Sequence, residues 1–490
     1  MLRRTLVVAA LAALIAGCAT PATVFELDEL EPENGLVIMR LSSNSLSTGF
    51  FKYWNTLSVR EVGVEQPGEF QISLSRKGNA RSAVYFGSLP PGRYRLEKLH
   101  SEQCGAMCIS STITINEKFG DFDVAAGRTT DLGHVVYSTQ GARKVAMTRG
   151  DTMTPWIPAY IANYYPNIQA SAVAPPYLGW VDEPARGEAL QAMYERDRTR
   201  SLGLLKPSSM DDGSILFGTL LGMVKRWEPG KVMVVYDTGM QGAVESVVEV
   251  EPGIWLVGGE NGRLRVSRDA GRNWTDFGDG FPYLNIAALN VHDGRIFATV
   301  SNEDELSVFE TTLDDGTWQQ LSSNELEFSF WTGVPIFPQS FVVDSKLVTS
   351  LPTNGLLITD LDDRTSTVRT FPGSIFKFGV GGDGVLRCMC TKALFNNPWK
   401  SADLGDNWER SEHDRYMWVP HFTDVQTGYG LLKGRVLRTV DGGATWEDVG
   451  PAPKYATTLG HFEVSGDLYA VDEYAFYYRS SDGGKTWEKT

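Results

Sequence analysis

Apolar and polar residues alternate in short runs along most of the chain, and a period of two places every second side chain on one face of a strand. Between about Gly35 and Ser138 the runs are Gly35-Leu-Val-Ile-Met-Arg, Asn55-Thr-Leu-Ser-Val-Arg, Phe70-Gln-Ile-Ser-Leu, Ser82-Ala-Val-Tyr-Phe and Arg93-Tyr-Arg-Leu. Most are bounded by Gly, Pro or Ser, which predicts a small β-sandwich over residues 24–140. Residues 141–200 differ, with Pro155, Pro158, Pro166, Pro175 and Pro176 set among Trp156, Tyr160, Tyr164, Tyr165, Tyr177 and Trp180. Proline denies a regular ladder, so this stretch reads as a linker held to a neighbour by its aromatics. Tyr164 and Tyr165 are either an exposed patch or interdomain packing. Near its end, Asp182 can cap a short helix, Pro184 suits the first turn, and the charged run to Arg200 gives a solvated face.

From about Ser201 the sequence repeats itself. Ser267-Arg-Asp269-Ala-Gly271-Arg-Asn273-Trp274, Ser401-Ala-Asp403-Leu-Gly405-Asp-Asn407-Trp408, Thr439-Val-Asp441-Gly-Gly443-Ala-Thr445-Trp446 and Ser480-Ser-Asp482-Gly-Gly484-Lys-Thr486-Trp487 share one pattern. Two worn copies fall in the long gap after the first: Thr312-Leu-Asp314-Asp-Gly316-Thr-Trp318, one residue short, and Thr359-Asp-Leu-Asp362, the first half only. The aspartates are then spaced by 45, 48, 41, 38 and 41 residues. Such a unit suits a tight turn between antiparallel strands. The carboxylate can accept from turn amides, the glycine takes a backbone angle a Cβ would forbid, and the tryptophan covers the apolar flank. A period of about 40 residues holds about four short strands, the size of a propeller blade. The unboxed stretch from Ser201 to about Gly242, with Ile215-Leu-Phe-Gly and Val232-Met-Val-Val-Tyr, has the length of one more. The expectation is therefore an all-β chain with a seven-bladed propeller over 201–490, six blades being the alternative.

These copies resemble the Asp-box, or BNR, repeat of sialidases, sortilin-type receptors, some endoglucanases and the photosystem II assembly-factor family. The stretch Gly258-Gly-Glu-Asn-Gly-Arg-Leu-Arg-Val-Ser-Arg-Asp is most similar to the last. The resemblance implies boxes on the outer rim that serve structure. Leu89-Pro-Pro-Gly-Arg-Tyr-Arg-Leu, followed by Phe122-Asp-Val-Ala-Ala-Gly-Arg-Thr-Thr-Asp-Leu-Gly, resembles prealbumin-like accessory domains, which implies a spacing or docking role for the first region.

The N-terminus changes the picture by adding a compartment. Arg3 and Arg4 precede an apolar run from Thr5 to Ala16 and then Gly17-Cys18, the build of a secretory signal and too short to span a bilayer. Ile15-Ala16-Gly17-Cys18 resembles the bacterial lipobox, which implies that Cys18 becomes the lipid-bearing mature N-terminus and that the bilayer is one partner. Ala19 in place of Asp favours the outer membrane. In an oxidising compartment Cys104 and Cys108 are close enough to bridge, whereas Cys388 and Cys390 read as two buried small hydrophobes.

Composition agrees with many short strands, since 50 glycines and 42% hydrophobic residues accompany only 21% charged ones. The net charge of −15 repels phosphate backbones and excludes nucleic acid as a natural partner. A sialidase would need three converging arginines, a Tyr with a Glu and an acid Asp. Arg263, Arg265, Arg369 and Arg387 are available, but none sits in that family's start signature. Among 60 acidic residues a glycosidase pair cannot be chosen. Registering blades on their boxes gives a sharper set. His421 lies 20 residues before Asp441, His461 lies 21 before Asp482, and Lys377 lies 26 before Asp403. On inner strands these three could gather an anion or a metal at the channel, or simply line it with polar groups. No cofactor and no metal site is assigned. The expected function is a non-enzymatic envelope scaffold binding a protein or glycan, with a glycoside hydrolase acting at the channel mouth as the alternative.

Overall fold

The computed structural model describes residues 31–490 except 32, 45–53, 76–80, 105–107, 140–144, 151–155, 169, 202, 279, 302–304, 327–337, 352–354, 372–373, 393–394, 411–419 and 473–475. The signal segment and Cys18 lie outside the described residues.

Ten strands come first: β1 (Gly35–Ser43), β2 (Thr56–Glu61), β3 (Glu69–Ser75), β4 (Ala83–Leu89), β5 (Gly92–Cys104), β6 (Cys108–Thr114), β7 (Asp121–Val124), β8 (Thr129–Thr139), β9 (Val145–Arg149) and β10 (Trp180–Val181). They form one sheet in the order β10-β7-β5-β2-β3-β4-β1-β8-β9, with β6 also paired to β5. Strand β3 makes it continuous, because residues 69–73 pair with β2 while Leu74 and Ser75 pair with β4. The sheet bends on itself around a shared core that includes Val37, Leu57, Ile72, Tyr94, Phe122 and Val135. Strands β9 and β10 reach it from beyond residue 140.

Strand β1 is buried on both faces, which explains the unbroken run Leu36-Val-Ile-Met. Val37 and Met39 face the shared core, whereas Leu36 and Ile38 pack on Trp156, Ile157 and Tyr160 around helix α1 (Ile157–Tyr164). Helix α2 (Pro184–Arg200) starts after Glu183, which provides no side-chain cap. Asp182 does not cap it either, because Arg149 takes its carboxylate. The inner face of α2 is polar. Tyr194 shares a hydrogen bond of 2.8 Å with His134, and Ser138 donates to Asp197 at 2.5 Å.

Seven four-stranded antiparallel sheets follow, each with its strands in chain order: residues 203–237, 244–276, 285–325, 340–370, 374–410, 421–451 and 456–489. The third region is therefore a seven-bladed β-propeller, and the unboxed stretch is its first blade. Among the described residues no strand is shared between the first and last blades, and side chains join them. Trp227 of blade 1, fully buried, packs on Phe462, Tyr469 and Tyr477 of blade 7 with centroids 5.1 to 5.7 Å apart. Gly203 N–H donates to the Tyr477 hydroxyl at 3.0 Å.

Antiparallel strands put the first-to-second and third-to-fourth turns on one face, and the second-to-third turns and blade-to-blade connections on the other. The first region docks on the second of these faces, at blades 1 and 2. Arg81 reaches the buried Glu245 at 2.6 Å, Arg40 lies 3.4 Å from the buried Glu260, and Ser82 donates its N–H to Glu260 at 2.8 Å. From α2, Arg198 grips Asp237 at 2.7 and 3.0 Å and also donates to the carbonyl of Leu221. Tyr165 is buried on Phe86, and Tyr164 meets Tyr283 in the connection after blade 2. These two tyrosines are packing residues.

One pair of cysteines differs from expectation. Cys388 and Cys390, both buried on the second strand of blade 5 (Leu386–Lys392), are joined as a disulfide, with Cα atoms 5.6 Å apart. Alternate residues of a strand point the same way, and that brings the two sulfurs together. Cys104 and Cys108 stand opposite each other across the β5–β6 ladder, and their side chains lie outside the described residues.

Candidate functional site

Each full box occupies the turn between the third and fourth strands of its blade. In blade 2 the third strand ends at Ser267 and the fourth begins at Thr275. The hydroxyls of Ser267, Ser401, Thr439 and Ser480 donate to Oδ1 of Asp269, Asp403, Asp441 and Asp482 at 2.7 to 2.9 Å. Each hydroxyl also accepts the N–H of Gly271, Gly405, Gly443 or Gly484 at 2.8 to 2.9 Å. Oδ1 then accepts the N–H of Asn273, Asn407, Thr445 or Thr486 at 2.8 to 3.0 Å, and Oδ2 takes the same residue's side chain at 2.6 to 2.7 Å. These bonds favour the charged carboxylate. The Asn407 amide and side chain hold Asp403 at about 2, the Thr445 hydroxyl and amide do the same for Asp441, and Asp269 and Asp482 are lowered likewise.

The box glycines have φ between +87° and +96°. A Cβ on Gly271 would strike Trp255 and Tyr236, one on Gly405 would meet Leu356, and one on Gly484 would meet Val436. In each case the neighbour includes a side chain of the preceding blade, so the boxes help to seat one blade on the next. Trp274 donates from Nε1 to the Gly271 carbonyl at 2.9 Å, Trp408 lies edge-on to Phe371 and Trp446 to Phe422. Trp487 packs in the cluster of Leu431 and Val436. In the worn copies, Gly316 N–H binds the Thr312 carbonyl beside Asp314, and Trp318 packs on Phe277 and Phe281. In blade 4 the turn carboxylate is Asp360, which accepts the amides of Asp362 and Asp363 at 3.1 and 3.0 Å; Asp362 pairs with Arg295 instead.

The structure joins two of the three channel residues named from blade register. His421 and His461, at the ends of the first strands of blades 6 and 7, share a hydrogen bond of 2.6 Å between Nε2 and Nδ1. Burial lowers His421 to about 4, and the charges of His461 and Arg387 push the same way; burial also lowers His461. At neutral pH the pair is uncharged, one ring donating and the other accepting. Arg387, whose charge acts on His421, lies 3.7 Å over the Phe422 ring and binds Asp383 through two bonds of 2.8 and 2.6 Å. Lys377 stands deeper. Turn register makes Gly379 the partner of His421, since Gly379 opposes Arg387 as His421 opposes Tyr429, and Lys377 is two residues further from that turn. Its side chain lies outside the described residues.

A lysine of blade 1 crosses to blade 3. Lys206, on the first strand of blade 1 (Gly203–Ser209), donates to the Leu289 carbonyl and, at 2.7 Å, to Asn290 Oδ1 of blade 3, passing the first strand of blade 2. Burial brings its ammonium down to about 7. Asn290 continues to Ser340 of blade 4 at 3.3 Å, and Gln339 accepts the Phe378 amide of blade 5 at 2.8 Å. Reading the sequence missed this belt because blade 1 has no box by which to register it. Its one signal was a lysine inside the apolar run Gly203-Leu-Leu-Lys.

The arginines considered for a substrate clamp do not converge. Arg265 donates to the carbonyls of Thr238 and Trp274, Arg369 to those of Asp403 and Leu404, and Arg387 to Asp383, while Arg263 lies near Asp276. They sit on blades 2, 4 and 5. Among the described residues no three His, Cys, Asp or Glu side chains come together to hold a metal.

A model of the BNR/Asp-box repeat matches residues 478–489, the box of blade 7. No curated protein matches the chain. Among solved structures it is similar to YCF48 from Cyanidioschyzon merolae, at 13% identity over 50% of this chain and 84% of that one, with a TM-score of 0.37. It is also similar to a GH74 enzyme of Niastella koreensis, at 12% identity over 80% of this chain and 58% of that one, with a TM-score of 0.42. A third is BamB from Moraxella catarrhalis, at 14% identity over 58% of this chain and 84% of that one, with a TM-score of 0.33. Likenesses this distant transfer no activity.

Proposed function

We propose that this chain is a bacterial envelope lipoprotein, held at the outer membrane through acylated Cys18, whose propeller binds a protein partner as a non-enzymatic assembly scaffold. One observation carries the reading: the first region is clamped to the propeller by charges buried on the propeller side. Glu245 and Glu260 are almost fully buried, and their bonds to Arg81, Ser82 and Arg40 cross from one region to the other. Breaking such a contact strands a charge away from water at a cost of about 3–5 kcal/mol, so the two regions move as one. A rigid joint makes the two regions one body that presents a wide loop-bearing face, which is what a scaffold requires. The net charge of −15 favours a partner with a basic surface.

The test uses the full chain in its own envelope. Chemical cross-linking followed by mass spectrometry is expected to join residues within 203–489 to one protein. Cross-links confined to residues 31–149 would remove the propeller from the binding role. The Cys18→Ala chain is expected to leave the membrane fraction, and its retention there would refute the anchor.

A further inference from the structure

The first region docks on one face of the propeller, and the opposite face carries the first-to-second and third-to-fourth turns of the blades. Four valines stand out there, all on blades 6, 7 and 1: Val425 (61% exposed) and Val440 (54%) on blade 6, Val464 (69%) on blade 7 and Val232 (88%) on blade 1. Single exposed valines are ordinary, but these sit on turns that touch one another. On blade 6 the N–H of Gly442, in the Val440 turn, donates to the Gln426 carbonyl, in the Val425 turn, at 2.9 Å. His421 and His461, which lead into the Val425 and Val464 turns, share their bond of 2.6 Å across blades 6 and 7. Val464 in its turn lies against blade 1, since a Cβ on Gly213 would fall 2.7 Å from the valine's own. Arg479, bound by Asp467 of the Val464 turn at 2.7 Å, would lie 3.4 Å from a Cβ on Gly230, in the Val232 turn.

The charge around these valines has one sign. Exposed acids share the inner turns of the same three blades: Asp211 and Asp212 on blade 1, Asp424 on blade 6 and Glu463 on blade 7. None of the seven first-to-second turns contains a lysine or an arginine. Asp212 meets Arg226, and Asp424 holds its own turn by accepting the amides of Gln426 and Thr427 at 2.7 Å each. Asp211 and Glu463 can be changed without touching those bonds. An apolar surface set among acids repels anionic lipid headgroups, and it repels a second copy of this chain, whose net charge is −15.

On the scaffold reading above, we propose that this patch on blades 6, 7 and 1 is where the propeller docks its partner, and that the partner presents a basic segment with apolar side chains set between its lysines or arginines. The valines supply the apolar contact that survives in salt. The acids steer the cations in and fix which segment is accepted, because an acidic one would meet like charge at every turn. The first region, docked on the opposite face, does not compete for the patch.

Photo-reactive benzoyl-phenylalanine in place of Val464, and separately in place of Tyr455 in the connection on the opposite face, tests it with the full chain in its own envelope. Cross-links from position 464 are expected to join one other protein, within a segment of net positive charge that also holds apolar residues. Asp211→Lys together with Glu463→Lys should cut the yield from position 464 at least about tenfold. Both side chains are exposed, so the urea midpoint should stay where it is. Cross-links from position 464 to an acidic or neutral segment, to lipid or to a second copy of the chain would overturn the proposal, as would a yield that the double variant leaves unchanged. Cross-links from position 455 with none from 464 would overturn it while leaving the scaffold reading in place. With none from either position the proposal falls, and chemical cross-links elsewhere within residues 203–489 then decide whether the scaffold reading falls with it.

Discussion

The turns of the propeller and the seam that closes it solve the same problem over very different lengths of chain. A box ties a serine or threonine, an aspartate, a glycine and a residue four beyond the aspartate, all within one turn and mostly in water. The seam ties Gly203 to Tyr477, 274 residues away, and does so through buried rings. Local bonds can form as soon as the hairpin does, whereas the seam forms only when seven blades have been assembled. The difference predicts where the molecule is fragile: at the seam one buried indole meets three rings of the last blade, while a box is one of several similar parts.

Trp227→Ala should therefore have the largest effect. The indole is fully buried among Phe462, Tyr469 and Tyr477, and removing such a side chain costs about 3–5 kcal/mol. Urea unfolding should show a midpoint shift of that size with tryptophan and far-UV signals moving together. A shift no larger than that of a box variant would mean that closure does not depend on the seam.

The His421–His461 pair is a second joint, half-buried between blades 6 and 7, and it adds a pH dependence that boxes lack in the same range. His421 is lowered from 6.5 to about 4, so between those values the unfolded chain binds the proton that the folded chain refuses. Its contribution is complete above pH 6.5 and is lost as pH falls to about 4. His421→Gln cannot titrate and should flatten the pH dependence of the urea midpoint over this range. An unchanged slope would place the titration elsewhere.

What could be read from the sequence follows the same division. Six turns, the blade period and the count of seven were legible because a box is written in eight consecutive residues. Even so, pattern alone chose Asp362 where Asp360 accepts the turn amides, since both lie near the right spacing. It also hid a backbone requirement. The residue before each box glycine is left-handed too, at φ +56° for Ala270 and +54° for Leu404, but only Gly442 and Gly483 announce it. The seam, Lys206 and the acids that clamp the first region were illegible. Their partners lie 83 to 274 residues away, and nothing in a lone Glu245 or Tyr477 says what it will meet. The pair of channel histidines was found only because two adjacent blades carry boxes from which to count.

Gly484→Ala tests the rim with an effect smaller than the seam's. At φ +96° a Cβ is strained, and it would lie 3.0 Å from Val436 of the preceding blade. The cost is about 1–2 kcal/mol, read as a urea midpoint shift. A neutral result would mean that the box turn relaxes freely and does not seat one blade on the next.

The smallest expected effect separates the charge of a box from its shape. Asp441→Asn keeps the size of the side chain and loses the anion that accepts from Thr439, Thr445 N–H and the Thr445 hydroxyl. Those bonds hold the carboxyl at about 2 against an ordinary 3.8, so the folded chain keeps Asp441 ionised where the unfolded chain has taken up a proton. The aspartate's advantage is complete above about pH 4 and disappears as pH falls to about 2. Thermal midpoints of the two chains should differ at pH 7 and converge over that range, the variant being the less stable. Because the group is exposed and three similar boxes remain, the gap at pH 7 should be the smallest of the series, and if it persists undiminished at pH 2 the carboxylate's charge is not what the box uses.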